Sequence, residues 1–408
     1  MLKRTAAQYD RAMTCRWLAQ PLRLLLLLLP MLLAACGGGG SSDAQPPQTA
    51  AAEPSGPGRL ESATQLGRIA VADIDAAINA PGSRTAGLAA RYEVVNHRLT
   101  YLTIDAQGQP IVASALVSVP VKASGAKSPV LAFQHGTIEQ DAEAPTNSVT
   151  AEAPAVVLAS LGYIVVAADY VGYGASKGAP HPYLLATPSA AAVIDLLTAA
   201  ATWRQRNRVA DNGQLFLIGY SEGGHATVAA HRALQSAGGA HLASLVAVAA
   251  GAGPYHVGVT LDELLRRVCE DNPLLGALVN PGLLSRLNPT LRREVRDQLL
   301  KRLLPDDADV VFDASVLDAY LADDRAAVER LGNVHDWAPA APLRLFHGRD
   351  DQTVPYVSAT TTLQAMRSRG AADVSLTDCT LSPSSHLGCV PPFLTFALAE
   401  FALRVRDL

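Results

Sequence analysis

The stretch Leu215–Ala226 reads LFLIGYSEGGHA. An apolar run of strand type stops at Gly219, and a run of helical character resumes after Gly223 and Gly224. A buried strand accounts for Leu215–Ile218 but not for glycines on both sides of a serine. They make sense where the chain turns so sharply from strand to helix that side chains flanking the serine would collide. Gly219-Tyr220-Ser221-Glu222-Gly223 is thus the G-x-S-x-G pattern in a strand–turn–helix setting, which exposes a serine hydroxyl at the head of a helix. Ser221 is the candidate nucleophile, and Gly219 and Gly223 permit the turn.

A serine hydroxyl attacks poorly unless a base takes its proton and an acid orients the base. With this kind of turn the acid and then the histidine follow the serine in sequence. FHGRDDQTVPY places Asp351 in D-x-x-V-P, three residues beyond Gly348 and just after a strand pattern. Asp350 is its competitor, and register favours Asp351. Of ten histidines only His386, in CTLSPSSHLGCV, lies beyond Asp351. The charge on a tetrahedral intermediate also needs N–H donors. One is expected from Glu222, directly after the serine. The other is assigned to Thr137, in the loop Gln134-His135-Gly136-Thr137, by analogy with other HG-x loops. His135 is expected to shape that loop. Asp169, in DYVGYGAS, precedes the serine and is expected to hold its own glycine-rich loop; His225 and His347 are expected to be structural.

Outward from this centre, strand and helix patterns alternate. YEVVNHRLTYLTI and IVASALVSVP flank DAQGQP and suggest an antiparallel hairpin. VLAFQ, YIVVAA, QLFLIGY and SLVAVAAG are continuous apolar runs, as in parallel strands buried on both faces. Helical stretches separate them, for example Ala151–Leu161 and Ser189–Arg206. The alternation predicts an α/β doubly wound, mostly parallel sheet with an antiparallel start. From Tyr255 to Trp337 amphipathic helices follow one another with no strand between them. This block is read as an insertion in a single catalytic domain spanning 61–408. Near the start, LGRIAVADIDAAINA (Leu66–Ala80) is read as a helix, with order expected from about Leu66.

The chain has 408 residues, 49% hydrophobic and only 17% charged, and a formal net charge of −4. A basic lead-in and the run LLLLLLPMLLAAC read as an export signal over 1–35. LAAC, ending at Cys36, resembles the lipobox of bacterial lipoproteins, and CGGGGSS supplies a tether; residues 36–60 are read as the lipidated cysteine and a flexible linker. Removing 1–35, with five basic residues and Asp10, takes the charge from −4 to −8, so the composition offers no case for binding nucleic acid. The expected location is the bacterial cell envelope, held by an N-terminal lipid. Gly37, in place of an aspartate, points to the outer membrane. Cys379 and Cys389 are a possible disulfide in that compartment, bracketing His386; Cys269 is left over as a buried thiol. No metal-ligand spacing accompanies them, so no metal is expected.

FQHGT, ADYVGYGAS, GYSEGG, HGRDDQTVP and SSHLGC, in that order, resemble the α/β-hydrolase superfamily from Tyr92 to the C-terminus. More narrowly, the chain is similar to the secretory lipase family, the lipase-A-like enzymes of yeasts and bacteria. The resemblance implies carboxylic ester hydrolysis without a cofactor, a small-molecule or lipid ester as substrate, and an insertion that caps the acyl pocket. Glu222 stands where yeast members commonly carry glycine, and an acidic side chain there is expected to narrow the substrate range. The alternatives are a prolyl-oligopeptidase-type serine peptidase, an acyltransferase, and a non-catalytic binding module. Nothing upstream of Tyr92 is long enough for a propeller domain.

Overall fold

Strand burial divides the sheet into two halves. The computed structural model describes residues 54–408, apart from 84, 86, 280, 281 and 304–307. The export segment, Cys36 and the linker up to residue 53 lie outside the described residues. β1 (Leu60–Ile69), β2 (Val94–Ile104) and β3 (Pro110–Pro120) run antiparallel. In the β2–β3 hairpin the turn is held by Asp105 Oδ1, which accepts from the N–H groups of Gln107 and Gln109. β4 (Ser128–Gln134), β5 (Ile164–Ala168), β6 (Asp211–Tyr220), β7 (Leu245–Gly251), β8 (Leu343–His347) and β9 (Val374–Asp378) are mutually parallel. The order is β1-β2-β3-β5-β4-β6-β7-β8-β9.

Helices cover both faces of the parallel half, which is why every residue of β5 is buried. α1 (Val71–Ile78) and α2 (Pro154–Ser160) lie on one face; α3 (Ala186–Asn207) and α4 (Glu222–Ala237) pack on the other. β6 feeds both cores by simple alternation: Leu215 and Leu217 point to one, Phe216 and Ile218 to the other. A short α5 (Gly239–Ser244) precedes β7. After β7 the chain leaves the sheet for α6 (Val257–Asp271), α7 (Pro273–Leu278), α8 (Pro289–Leu303), α9 (Ser315–Leu321) and α10 (Arg325–Leu331). These build a separate small core around Leu261, Leu264, Leu265, Leu299 and Tyr320. α11 (Val357–Ser368) and α12 (Val390–Ala402) then complete the two helical layers. This is the α/β-hydrolase fold, with an antiparallel start and a helical cap inserted between β7 and β8. Among the described residues no helix is long and apolar enough to cross a membrane.

Two expectations need correction. The expected helix Leu66–Ala80 begins as strand: β1 runs to Ile69, and only Val71–Ile78 is helical, burying Ile74 and Ile78. β1 is an edge strand with almost no buried side chain, so its pairing comes from the backbone edge of β2 and leaves no period-2 apolar signal. Cys269 is free but half-buried, on the outer part of α6, rather than fully buried.

Candidate active site

The turn at Ser221 has the backbone that the glycines imply. Ser221 has φ 59° and ψ −125°, a region that side chains enter only under constraint. A β-carbon on Gly219 would strike the Gly223 carbonyl, and one on Gly223 would strike the Gln134 carbonyl. The turn therefore closes only with glycine at both positions, and it delivers Ser221 from the end of β6 to the head of α4.

His386 reaches the turn from the loop between β9 and α12. Its Nε2 lies 2.8 Å from Ser221 Oγ, and its Nδ1 lies 2.6 Å from Asp351 Oδ2. With Nδ1–H donating to the carboxylate, Nε2 is free to accept the serine proton. Asp351 is buried, and its Oδ1 accepts from the N–H groups of Thr353 and Val354, each at 2.9 Å. Burial pushes this carboxyl up, but hydrogen bonds from His347 and His386 outweigh it and hold the group at about 2. Asp351 is thus the charged partner the imidazole needs.

The loop carrying His386 is tied at four points. The Cys379–Cys389 disulfide closes it. Asp350 Oδ2 accepts from the Ser384 N–H at 2.9 Å and hydroxyl at 3.0 Å. Tyr220 donates its hydroxyl to the His386 carbonyl at 2.8 Å. Gly348 lets Ser384 approach so closely that a β-carbon would strike the Ser384 carbonyl. The two adjacent aspartates therefore divide the work: Asp351 faces His386, and Asp350 holds the loop on which His386 sits.

On the opposite side of Ser221 lies the loop after β4. A β-carbon on Gly136 would sit 3.5 Å from the Ser221 Cβ, so this backbone runs against the turn. His135 has its Nδ1 at 2.7 Å from the Gly136 carbonyl, its Nε2 at 3.3 Å from the Asp169 carbonyl and its ring 4.2 Å from Tyr170. Asp169 is fully buried and takes the Ser114 and Thr146 hydroxyls, each at 2.5 Å, away from the serine. His225 Nε2 contacts the Gly332 carbonyl at 2.7 Å.

Several contributors carry no sequence signal of their own. His347 Nε2 lies 2.9 Å from the Val354 carbonyl and 3.3 Å from Asp351 Oδ2, so it supports the acid directly. Arg267, on α6 of the cap, donates to the carbonyls of Asp351 and Gln352 at 3.3 and 3.0 Å. Glu222 is buried against His181 and directs no carboxylate into open space.

A cavity of about 280 Å³ lies within the cap, lined mainly by Leu184, Leu261, Leu300, Phe312, Val316 and Tyr183. Ser221 does not line it. At the neck of the cap, His256, Glu329 and His335 bring one ligand atom each within 4.8 Å of one another. The two imidazoles lie face to face, 3.8 Å apart and 6° from parallel. No ion can lie in both ring planes in that arrangement, so it is a stacked pair joining the two ends of the insertion.

The sequence profile of the X-Pro dipeptidyl-peptidase (S15) family matches residues 111–388, more than half of the chain. No curated protein matches the chain. Among solved structures, the rice cell wall degrading esterase LipA from Xanthomonas oryzae is 25% identical, with a TM-score of 0.61 over 84% of this chain and 99% of that one. A protein from Legionella pneumophila is 24% identical over 84% of this chain and 97% of that one, with a TM-score of 0.66. Candida antarctica lipase A in its closed state is 18% identical over 86% and 84%, with a TM-score of 0.54; like the Legionella protein, it attests the fold alone. With the profile match spanning β3 to the His386 loop, the chain belongs to the X-Pro dipeptidyl-peptidase (S15) family and is a serine-type hydrolase of the α/β-hydrolase fold.

Proposed function

We propose that the chain is a carboxylic ester hydrolase that works through an acyl-enzyme on Ser221. The observation that carries this is the continuous contact from Asp351 through His386 to Ser221, at 2.6 and 2.8 Å. Ser221 Oγ attacks the ester carbonyl carbon while His386 Nε2 takes its proton. Asp351 stabilises the imidazolium that forms. The Glu222 and Thr137 N–H groups receive the oxyanion. Collapse breaks the acyl–oxygen bond, and His386 gives its proton to the departing alcohol. Water, deprotonated by His386, then attacks the acyl carbon and releases the acid, restoring Ser221. No step draws on a cofactor.

An ester rather than a peptide is supported by the apolar lining of the cap cavity and by similarity to an esterase over nearly its whole length. Membership of the S15 family favours a second reading, release of X-Pro dipeptides from peptide N-termini. A cavity of about 280 Å³ sits at the lower edge of the usual ~300–1,000 Å³ for ligand pockets, which points to short or medium acyl chains. The test is hydrolysis of p-nitrophenyl esters from acetate to palmitate beside Ala-Pro-p-nitroanilide. We expect kcat/KM to peak at short or medium chains, with palmitate and the anilide at least about tenfold lower, a difference of one or two methylene-sized contacts. An anilide turned over faster than every ester would contradict the ester reading and establish the peptidase one.

We also propose that the mature protein begins at Cys36, acylated and tethered to the bacterial envelope, most simply the outer membrane. This rests on LAAC and the glycine-rich stretch after it. Metabolic labelling with palmitate should be lost in Cys36→Ala; equal labelling of the variant would contradict the anchor.

A further inference from the structure

Glu222 poses a problem that the proposed chemistry leaves unexplained. A carboxylate beside an oxyanion site opposes the charge that develops there, and burying it is unfavourable without a partner. Glu222 is nonetheless only 4% exposed. It heads α4, where the helix N-terminus favours negative charge. Burial opposes that charge, but His181 outweighs it and holds the carboxyl below its ordinary range.

The surroundings of His181 are built for this pairing. Its Nε2 lies 2.5 Å from Glu222 Oε1, and its Nδ1 lies 2.8 Å from the Val171 carbonyl. Both ring nitrogens thus face oxygen atoms, and the imidazole is the hydrogen-bond partner of the buried carboxylate. Tyr170 stacks on the ring at 5.9 Å, and Tyr173 and Phe312 meet it edge-on at 5.1 and 5.5 Å. The ring has no freedom to turn away.

Glu222 is itself one of the two residues whose N–H groups are proposed to receive the oxyanion, so the pair sits at that site. The backbone of His181 is also locked to the cap: its N–H donates to the Val311 carbonyl at 2.7 Å, and the Asp313 N–H donates to its carbonyl at 2.8 Å.

We propose that the buried Glu222–His181 pair is a positioning device for the oxyanion site. It fixes the Glu222 backbone where the tetrahedral intermediate needs it, gives the buried carboxylate a hydrogen-bond partner, and ties that geometry to the cap at Val311–Asp313. The inference rests on the reading of Ser221 as nucleophile and of these N–H groups as donors. Because the pair acts on transition-state geometry, its loss falls on kcat rather than KM.

The test compares Glu222→Ala, Glu222→Gln, His181→Phe and the Glu222→Gln/His181→Phe double variant, with rates per active site titrated by a fluorophosphonate. Glu222→Ala should lower kcat by about 10- to 100-fold, since the donors are displaced rather than removed, with KM within about twofold. The Ki of a trifluoromethyl ketone, whose Ser221 adduct carries an oxyanion, should rise by the same factor. Glu222→Gln keeps the shape and an acceptor for Nε2–H, and should recover most of the loss. His181→Phe keeps the ring contacts but leaves the carboxylate uncompensated; adding Glu222→Gln to it should raise kcat again. A loss confined to KM, an unchanged ketone Ki, or no recovery in either Gln variant would overturn the proposal. If the wild-type chain hydrolyses no ester, the ester reading fails separately. The pair is then tested by the rate of fluorophosphonate labelling at Ser221, where wild type above Gln above Ala supports it and equal rates overturn it.

Discussion

Ser221→Ala should lower kcat on a p-nitrophenyl ester by about 10⁴- to 10⁶-fold, with KM little changed. The reasoning is chemical rather than statistical. The proposed route has one nucleophile, and the alanine variant offers none, so turnover requires direct attack by water. His386 remains in place as a base, and so do the proposed oxyanion donors, the N–H groups of Glu222 and Thr137. That residual machinery sustains about 10³-fold over the uncatalysed rate in comparable sites, which is why the loss has a floor. The cap cavity proposed to hold the acyl chain is not lined by Ser221. Purified Ser221→Ala that kept more than a few per cent of wild-type kcat, with contamination excluded, would remove Ser221 from the mechanism.

The second large effect separates two neighbours. Asp351→Asn should cost about 10³- to 10⁴-fold in kcat, whereas Asp350→Asn should cost less than about tenfold. Asp351 Oδ2 accepts from His386 Nδ1 at 2.6 Å. An amide there presents a donor or a neutral acceptor, disfavours the required tautomer and leaves the imidazolium uncompensated. His347, 3.3 Å from the same oxygen, cannot take over because its Nε2 is a donor to the Val354 carbonyl. Asp350 makes its contacts only to Ser384 and, through its backbone, within its own loop. An asparagine oxygen still accepts from the Ser384 N–H and hydroxyl, and the disulfide still closes the loop. Steady-state kinetics of both variants decide the matter: equal losses would mean that the loop's shape, not the Asp351 charge, is what His386 needs.

The preference for Asp351 was legible in the chain because the signals were local; the hold of Asp350 on Ser384 was not. The strand ending at Tyr220, the glycines that allow the turn and the D-x-x-V-P register are all read within a dozen residues. The same holds for the parallel strands, whose continuous apolar runs follow from burial on both faces. What escaped was non-local. β1 has almost no buried face, so its strand character comes from pairing with β2, between residues 25 to 41 positions apart. Its apolar residues near Leu66 imitate the helix that starts only at Val71. The burial of Glu222 depends on His181, which is 41 positions away and sits in no motif. The support that Arg267 gives the acid loop depends on how the cap folds back over the sheet. Composition and spacing do not encode such meetings; packing does.

The cap is the element whose contacts now carry the most explanatory weight. It touches the Asp351 loop through Arg267 and the His181 backbone through Val311–Asp313. Its neck is closed by a hydrogen bond from the Val334 N–H to the Tyr255 carbonyl at 2.9 Å, beside the stacked imidazoles of His256 and His335.

The central claim is that an acyl group passes through Ser221. The most direct measurement is intact-protein and peptide mass spectrometry after rapid acid quench of the chain with p-nitrophenyl butyrate. The account predicts a single butyryl adduct, within the first turnover, on the peptide containing Gly219–Gly223, absent in Ser221→Ala and lost on further incubation as water releases it. Turnover with no adduct on that peptide, or an adduct on another residue that disappears at the rate of turnover, would contradict it.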